Sequence, residues 1–446
     1  MAPADDDSRN PTPSTDLSTR TAPEPPAAAP AAPPGPGAAA PAGPRWLLGL
    51  VAAGMVIAAL NLRPAISGLG PLLEEVRRGL HMNGTVAGLL TSVPSLCFAV
   101  FGGLAPRLAR RRGPATVVLG GMVAIALGLA LRPLAGGTAA FLAATALALA
   151  GIAVSNVLMP VVVKHWFPDR VGSMTGLYSM ALALGTAGAA AVTVPMTDAL
   201  GGSWRVGLGA WAVLAAVAVV PWAVISRSRS VHAPGARSAP ETVPGQPGEQ
   251  DATGLRITKS PTAWALGVFF GLQASAAYIT MGWLPQIFRD AGVSASAAGV
   301  MLAVTMGMGV PLSFVLPKLA ARMRHQGPLV LALGVCGLAG YAGLWFAPAA
   351  GAWVWALVLG VSNCAFPLAL TMIGMRSRSH TGVVKLSAFA QSTGYLISIP
   401  GPLLVGSLHD VSGGWHVPLL LMAALMLAQM ATGLLAGRDR VIEEGR

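Results

Sequence analysis

Residues 102–113 read GGLAPRLARRRG. An apolar run ends there, four arginines follow (Arg107, Arg110, Arg111 and Arg112), and a second apolar run begins at Ala115. Two hydrophobic arms joined by a tight basic turn form a membrane pattern, because basic residues between closely spaced spans stay on the cytoplasmic side. The stretch has an echo. Pro106-Arg107-Leu108-Ala109 recurs as Pro317-Lys318-Leu319-Ala320, 211 residues later. At the same offset Val86-Ala87-Gly88 is answered by Ala297-Ala298-Gly299, and Trp204 by Trp415. The chain therefore reads as two copies of one unit, with the basic turn at the same place in each.

Composition agrees with this reading. The 446 residues are 54% hydrophobic and 10% charged, with a mean hydropathy of +0.64. A soluble chain carries about 25% charged residues, so the surplus apolar surface here is expected to face lipid. The net charge of +12 sits in short turns between apolar runs. It reads as membrane topology rather than as a nucleic-acid footprint. Cys97, Cys336 and Cys364 fall inside apolar runs without metal-ligand spacing, so neither a disulfide framework nor a metal centre is expected. The first apolar run starts only near Trp46, so no cleavable leader is expected.

Residues 1–44 are rich in Pro, Ala, Ser and Thr and are expected to be a disordered tail. The first span is expected at 46–67, long enough to cross ~30 Å of hydrocarbon as a helix. A polar connector follows at 68–84, with Glu74, Glu75, Arg77 and Arg78. Further spans are expected near 85–104, 115–134, 139–163, 173–195 and 206–225, completing an N-terminal six-helix half at 45–225. A hydrophilic Pro/Ser/Gly-rich loop at 226–260 links it to a C-terminal half at 261–437. That half holds spans near 262–283, 298–316, 329–347, 353–373, 386–407 and 416–436, before a charged tail at 438–446. The fold class is an all-α membrane protein of twelve transmembrane helices in two related halves. With both termini cytoplasmic, only six of the 29 Lys and Arg remain outside: Arg63, Arg77, Arg78, Arg132, Arg205 and Arg289. The inverted topology would reverse that ratio, so both termini are placed in the cytoplasm.

Twelve spans, the repeat and the central loop resemble the major facilitator superfamily. Its signature between spans 2 and 3 is Gly-x-Leu-Ala-Asp-Arg-x-Gly-Arg-Arg/Lys. Here it reads Gly102, Gly103, Leu104, Ala105, Pro106, Arg107, Leu108, Ala109, Arg110, Arg111, with Pro106 in place of Asp and Ala109 in place of Gly. By the resemblance, Gly102, Arg107, Arg110 and Arg111 belong to a cytoplasmic gate whose usual Asp is missing. A narrower resemblance rests on NLRPAISGLGPLL (61–73), AGLLTSVPSLCF (87–98), NVLMPVVVKHWFPDRVGSMTGLYS (156–179) and FFGLQASAAYITMGWLP (269–285). These segments are similar to the cyanate and 2-nitroimidazole transporter group. The resemblance implies transport of a small polar or anionic solute across a bacterial inner membrane. It also implies a cavity lined by spans 1, 4, 7 and 10, where Asn61, Arg63, Asn156, Gln273, Tyr278 and Asn363 lie. These six are the candidate solute-binding residues.

The residues themselves support two readings at most positions. Arg63 lies about 17 residues into the first span, near the outer third of the bilayer at about 1.5 Å per residue. It either snorkels to the interface or faces the cavity, where its fork of donors suits an anion. Arg132, before Pro133, is expected to snorkel. Asn156 and Asn363 each stand four residues before a proline, Pro160 and Pro367. They form a repeat-related pair that either faces the cavity or caps a carbonyl freed by the proline. Gly176, Gly185 and Gly188 are expected to be close-packing positions, and Trp283-Leu284-Pro285 an interfacial anchor. All seventeen acidic residues fall in tails, loops or span ends, and no His is mid-span. A carboxylate relay for protons is therefore not expected, although Asp169 or His165 could titrate at the cavity mouth.

The sequence thus points to a secondary transporter working by alternating access, with a site near the midplane. A multidrug exporter of the same fold is the nearest rival, but bulky cations call for acidic residues in the cavity. A membrane-embedded enzyme would need clustered Asp, His or Lys at one membrane face. A nucleotide-driven pump would need a phosphate loop on this chain, and none is present. No cofactor is expected, and the partners are a small solute and the bilayer, with the chain acting as a monomer.

Overall fold

The computed structural model describes residues 45–228 and 257–444. The expected tail at 1–44 and most of the loop at 226–260 lie outside the described residues. All regular structure among the described residues is helical. Eleven segments are long and apolar enough to cross a membrane. Spans 1 to 6 are Trp46–Gly79, Gly84–Arg112, Pro114–Leu134, Thr138–Trp166, Pro168–Ala199 and Trp204–Arg227. Spans 7 to 10 are Pro261–Asp290, Ala295–Arg322, Gly327–Phe346 and Ala352–Met375, and span 12 is His416–Ala436. Span 11 is helical in two pieces, His380–Ser398 and Pro400–Ser412. It carries Lys385, Ser387, Gln391, Ser392 and Thr393, which dilute its apolar character. The protein is a twelve-span membrane protein.

Two expected loops are helical. The connector at 68–84 winds through Gly70–Leu72 and Leu73–Gly79. Glu74 and Glu75 occupy the first turn and Arg77 and Arg78 the last, a charge order that complements the helix dipole. Arg78 also pairs with Glu74 at 2.8 Å, one turn apart. The basic stretch at 102–112 is likewise helix, the last three turns of span 2. The turn shrinks to Gly113, whose φ of +81° needs a residue without a Cβ.

The two halves repeat each other in packing. In the first, spans 3·4, 3·6, 1·5, 1·6 and 2·4 are the principal contacts. Adding six to each gives 9·10, 9·12, 7·11, 7·12 and 8·10, the principal contacts of the second. The halves meet along spans 5·8 and 2·11, which that same shift exchanges. The interface is close where side chains are small. A Cβ on Gly88 of span 2 would meet the Leu403 backbone of span 11 at 2.8 Å.

Several local expectations give way to packing. Arg132 does not snorkel and is 1% exposed. Its Nε donates to Thr145 Oγ1 at 3.0 Å and its Nη1 to the Ala65 carbonyl at 3.0 Å. Trp283 is fully buried against Trp415, ring centroids 5.8 Å apart, so it is no interfacial anchor. Of Gly176, Gly185 and Gly188 in span 5, only Gly185 packs closely, against the Leu60 backbone. Gly176 borders the cavity described next, and Gly188 faces open space.

Candidate functional site

Span 1 is not one helix. Its first segment ends at Asn61 and a second begins at Pro64. Proline supplies no N–H, so the chain breaks at Leu62-Arg63, and Arg63 stands at the break with φ −129°. The Ser67 hydroxyl donates to the Arg63 carbonyl at 3.1 Å and steadies the turn. Beyond it Leu69 N–H bonds Ile66 rather than Ala65, which leaves the Ala65 carbonyl to Arg132. A buried arginine on span 3 therefore holds the irregular turn that carries Arg63.

Arg63 borders a cavity of about 520 Å³ between the halves. Spans 1 and 5 form one wall and spans 7, 8, 10 and 11 the other. Gln273, Tyr278 and Thr305 at its closed end are 2%, 5% and 1% exposed. Met180, Phe314 and Leu370 at the other end are exposed, so the cavity opens there. This is the face where spans 2, 4, 6, 8 and 10 end and the central loop attaches.

The opposite face is sealed. Arg289 of span 7 grips Glu75 of span 1 through both carboxylate oxygens, at 2.6 and 2.8 Å. It also donates to the Pro71 carbonyl at 3.0 Å. Arg77 Nη2 meets Asp410 of span 11 at 3.2 Å, and Asp410 also accepts from the Gly84 N–H. Deeper, Ser92 donates to the Ile399 carbonyl at 2.8 Å, and Ser398 donates to Ser95 at 2.7 Å.

The six arginines assigned to the outer side now separate. Arg77 binds Asp410, Arg78 binds Glu74, and Arg289 binds Glu75. Arg132 binds Ala65 and Thr145, and Arg205 donates to the Pro133 and Ala135 carbonyls. Among the described residues no carboxylate lies within ion-pair distance of Arg63. Arg63 instead shares the cavity lining with Tyr278 and Tyr395. Among the described residues no acidic side chain lines the cavity.

The other candidates divide. Gln273, Tyr278 and Asn363 line the cavity with Arg63. Asn363 ends the first segment of span 10, where the helix breaks before Cys364, and its amide reaches only the Met306 sulfur at 3.6 Å. Asn61 is 1% exposed and donates to the Ile57 and Leu214 carbonyls at 2.8 and 3.2 Å, which ties span 1 to span 6. Asn156 accepts from the Tyr178 hydroxyl and does not line the cavity. The proline-spaced asparagines are thus not equivalent: span 4 runs unbroken through Pro160, whereas span 10 breaks. Gly102, Arg107, Arg110 and Arg111 lie on the helical end of span 2 at the open face, the arginines exposed. Asp169 and His165 lie on the same face, outside the cavity lining.

Sequence reasoning passed over Tyr178 and Tyr395. The signal was present, because the chain has only four tyrosines, all of them mid-span. Tyrosine in membrane proteins ordinarily gathers at the interfaces. Among the described residues no group of three His, Cys, Asp or Glu has the arrangement of a metal site.

The sequence profile of the Major Facilitator Superfamily matches residues 47–399. An uncharacterized transporter of Bacillus subtilis, YycB, is 35% identical over 89% of this chain and 94% of its own length. The 2-nitroimidazole transporter of Escherichia coli is 32% identical over 88% of this chain and 96% of its own. The cyanate transport protein CynX of the same species is 31% identical over 84% and 94%. Among solved structures, the nucleoside transporter NupG superposes with a TM-score of 0.70 at 13% identity. That match covers 87% of this chain and 98% of the other.

Proposed function

The chain belongs to the major facilitator superfamily, whose members it resembles over most of its length, and from that premise we propose that it carries a small anionic or strongly polar solute. It is a transporter of small solutes, and its solute binds at Arg63, Gln273, Tyr278 and Asn363. The observation that carries this reading is the arginine without a carboxylate. A cation in a low-dielectric cavity is costly unless something neutralises it. An anionic solute supplies that compensation on arrival and removes it on departure. The guanidinium fork and the Tyr278 hydroxyl present donors to one planar acceptor such as a carboxylate, nitro or cyanate group. Asn156 and Asn61 act one step back, through Tyr178 and span 6.

Transport follows alternating access. The open face is cytoplasmic, both termini lie there, and the membrane is the bacterial inner membrane. The Arg289–Glu75 and Arg77–Asp410 pairs close the outer face while the site empties inward. For outward opening both pairs part, the contacts along spans 2·11 and 5·8 shift, and the basic end of span 2 meets the second half. The chain works as a monomer, because each copy holds a complete cavity.

The test is uptake into proteoliposomes of cyanate, benzoate and 2-nitroimidazole, with uridine and tetraphenylphosphonium as neutral and cationic controls. At least one of the first three enters faster than both controls. Preference for the cation would overturn the reading.

A further inference from the structure

Behind the cavity wall, inside the second half, lies a small space with room for about one water molecule, near 10 Å³. Six of its nine lining residues carry polar side chains: Gln273 and Thr280 of span 7, Tyr341 of span 9, Ser362 and Asn363 of span 10, and Gln429 of span 12. Gln273, Tyr341, Ser362 and Gln429 are 2%, 4%, 5% and 5% exposed. The amide oxygens of Gln273 and Gln429 are both buried without a hydrogen-bond partner. Gln273 and Asn363 line this space and the solute cavity alike. Spans 9 and 12 contribute nothing to the solute cavity itself.

A buried amide oxygen left unpaired is destabilising, and in hydrocarbon no lipid can satisfy it. Two such oxygens, on residues that both line one water-sized gap, call for a molecule with two donors. Tyr341 and Ser362 add hydroxyls that can donate back. The set therefore matches the valence of a single water, which gives two hydrogen bonds and accepts two.

We propose that an ordered water fills this space and that Gln429 and Tyr341, through it, are positioning residues for the solute-facing amides of Gln273 and Asn363. The proposal rests on the reading above that Gln273 contacts the solute. Without the bridge the Gln273 amide is free to turn away from the cavity, so affinity falls while the carrier still cycles. Spans 9 and 12 thereby influence recognition without touching the solute.

The experiment measures concentration-dependent uptake of whichever of cyanate, benzoate and 2-nitroimidazole enters fastest, in wild type, Gln273→Leu, Gln429→Leu, Gln429→Asn and Tyr341→Phe. Gln429→Leu should raise KM about tenfold with little change in maximal rate per folded molecule. Gln429→Asn should recover much of the loss, because a water spans the missing methylene, and Tyr341→Phe should lie between. Should Gln273→Leu raise KM while Gln429→Leu and Tyr341→Phe do not, the positioning role is overturned and the solute site stands. An unchanged KM in Gln273→Leu removes Gln273 from the site and overturns both. A structure at water-revealing resolution tests the bridge without any solute: density between the two amide oxygens supports it, and a dry gap contradicts it.

Discussion

Arg289 and Glu75, 214 positions apart in the chain, close the face of the protein opposite the cavity mouth with two parallel hydrogen bonds of 2.6 and 2.8 Å. One residue ends span 7 and the other belongs to the short helix that completes span 1. The same face carries a second cross-half pair, Arg77 with Asp410. Both pairs keep partial exposure, so each contributes on the order of 1 kcal/mol rather than the larger value of a desolvated pair. Such a latch is strong enough to bias the closed state and weak enough to release.

Removing the latch should therefore shift the resting population. Glu75→Gln with Asp410→Asn is expected to raise labelling of a cysteine placed at Leu69 by an impermeant thiol reagent applied from outside. The background lacks Cys97, Cys336 and Cys364. The gain should be roughly thirtyfold, as about 1 kcal/mol from each of the two pairs implies. Unchanged labelling would show that close packing along spans 2·11 and 5·8 alone holds the outer face.

Arg132 should behave differently from Arg63. Arg132→Met leaves the Ala65 carbonyl buried without its donor, at a cost of about 1–3 kcal/mol. Thermal stability and solute affinity should fall together, because the turn that presents Arg63 loosens. An affinity loss with an unchanged melting temperature would contradict this structural coupling.

Orientation is tested with single cysteines at Ser203 and His325, exposed positions on opposite faces. On intact cells the cysteine at 203 should react with the impermeant reagent and the one at 325 should not. The reverse pattern would invert the topology.

The fold was legible in the sequence because its signals are global. Hydropathy, the 211-residue offset and the arginine distribution each draw on many residues. Span lengths were legible less well, because charged helix ends such as Leu73–Gly79 read as loop by composition while their dipoles and i,i+4 pairs favour helix. The site was legible in part. Arg63 stood out as a charge in an apolar run, and Gln273, Tyr278 and Asn363 as polar groups on the same set of spans. Asn61 carried an equal sequence signal yet spends its amide on two backbone carbonyls. One sequence gives no facing for a side chain when a helix is apolar all round. Spans 5 and 8 line the cavity largely with Gly, Ala, Met, Thr and Ser, whose types carry no mark of function.

The asparagine pair separates binding from scaffolding. Asn363→Ala should weaken solute affinity several-fold with little effect on the amount of folded protein. Asn156→Ala frees the Tyr178 hydroxyl and should act more on thermal stability than Asn363→Ala does. Equal affinity losses in both would restore the symmetric pair that the sequence suggests.

The central claim is that Arg63 binds the solute directly, and solute affinity of Arg63→Lys and Arg63→Gln tests it most directly. Lysine keeps the charge and loses the fork, so Arg63→Lys should retain partial affinity, while Arg63→Gln should lose most of it with folded protein near normal. Near-wild-type binding by Arg63→Gln would contradict the account.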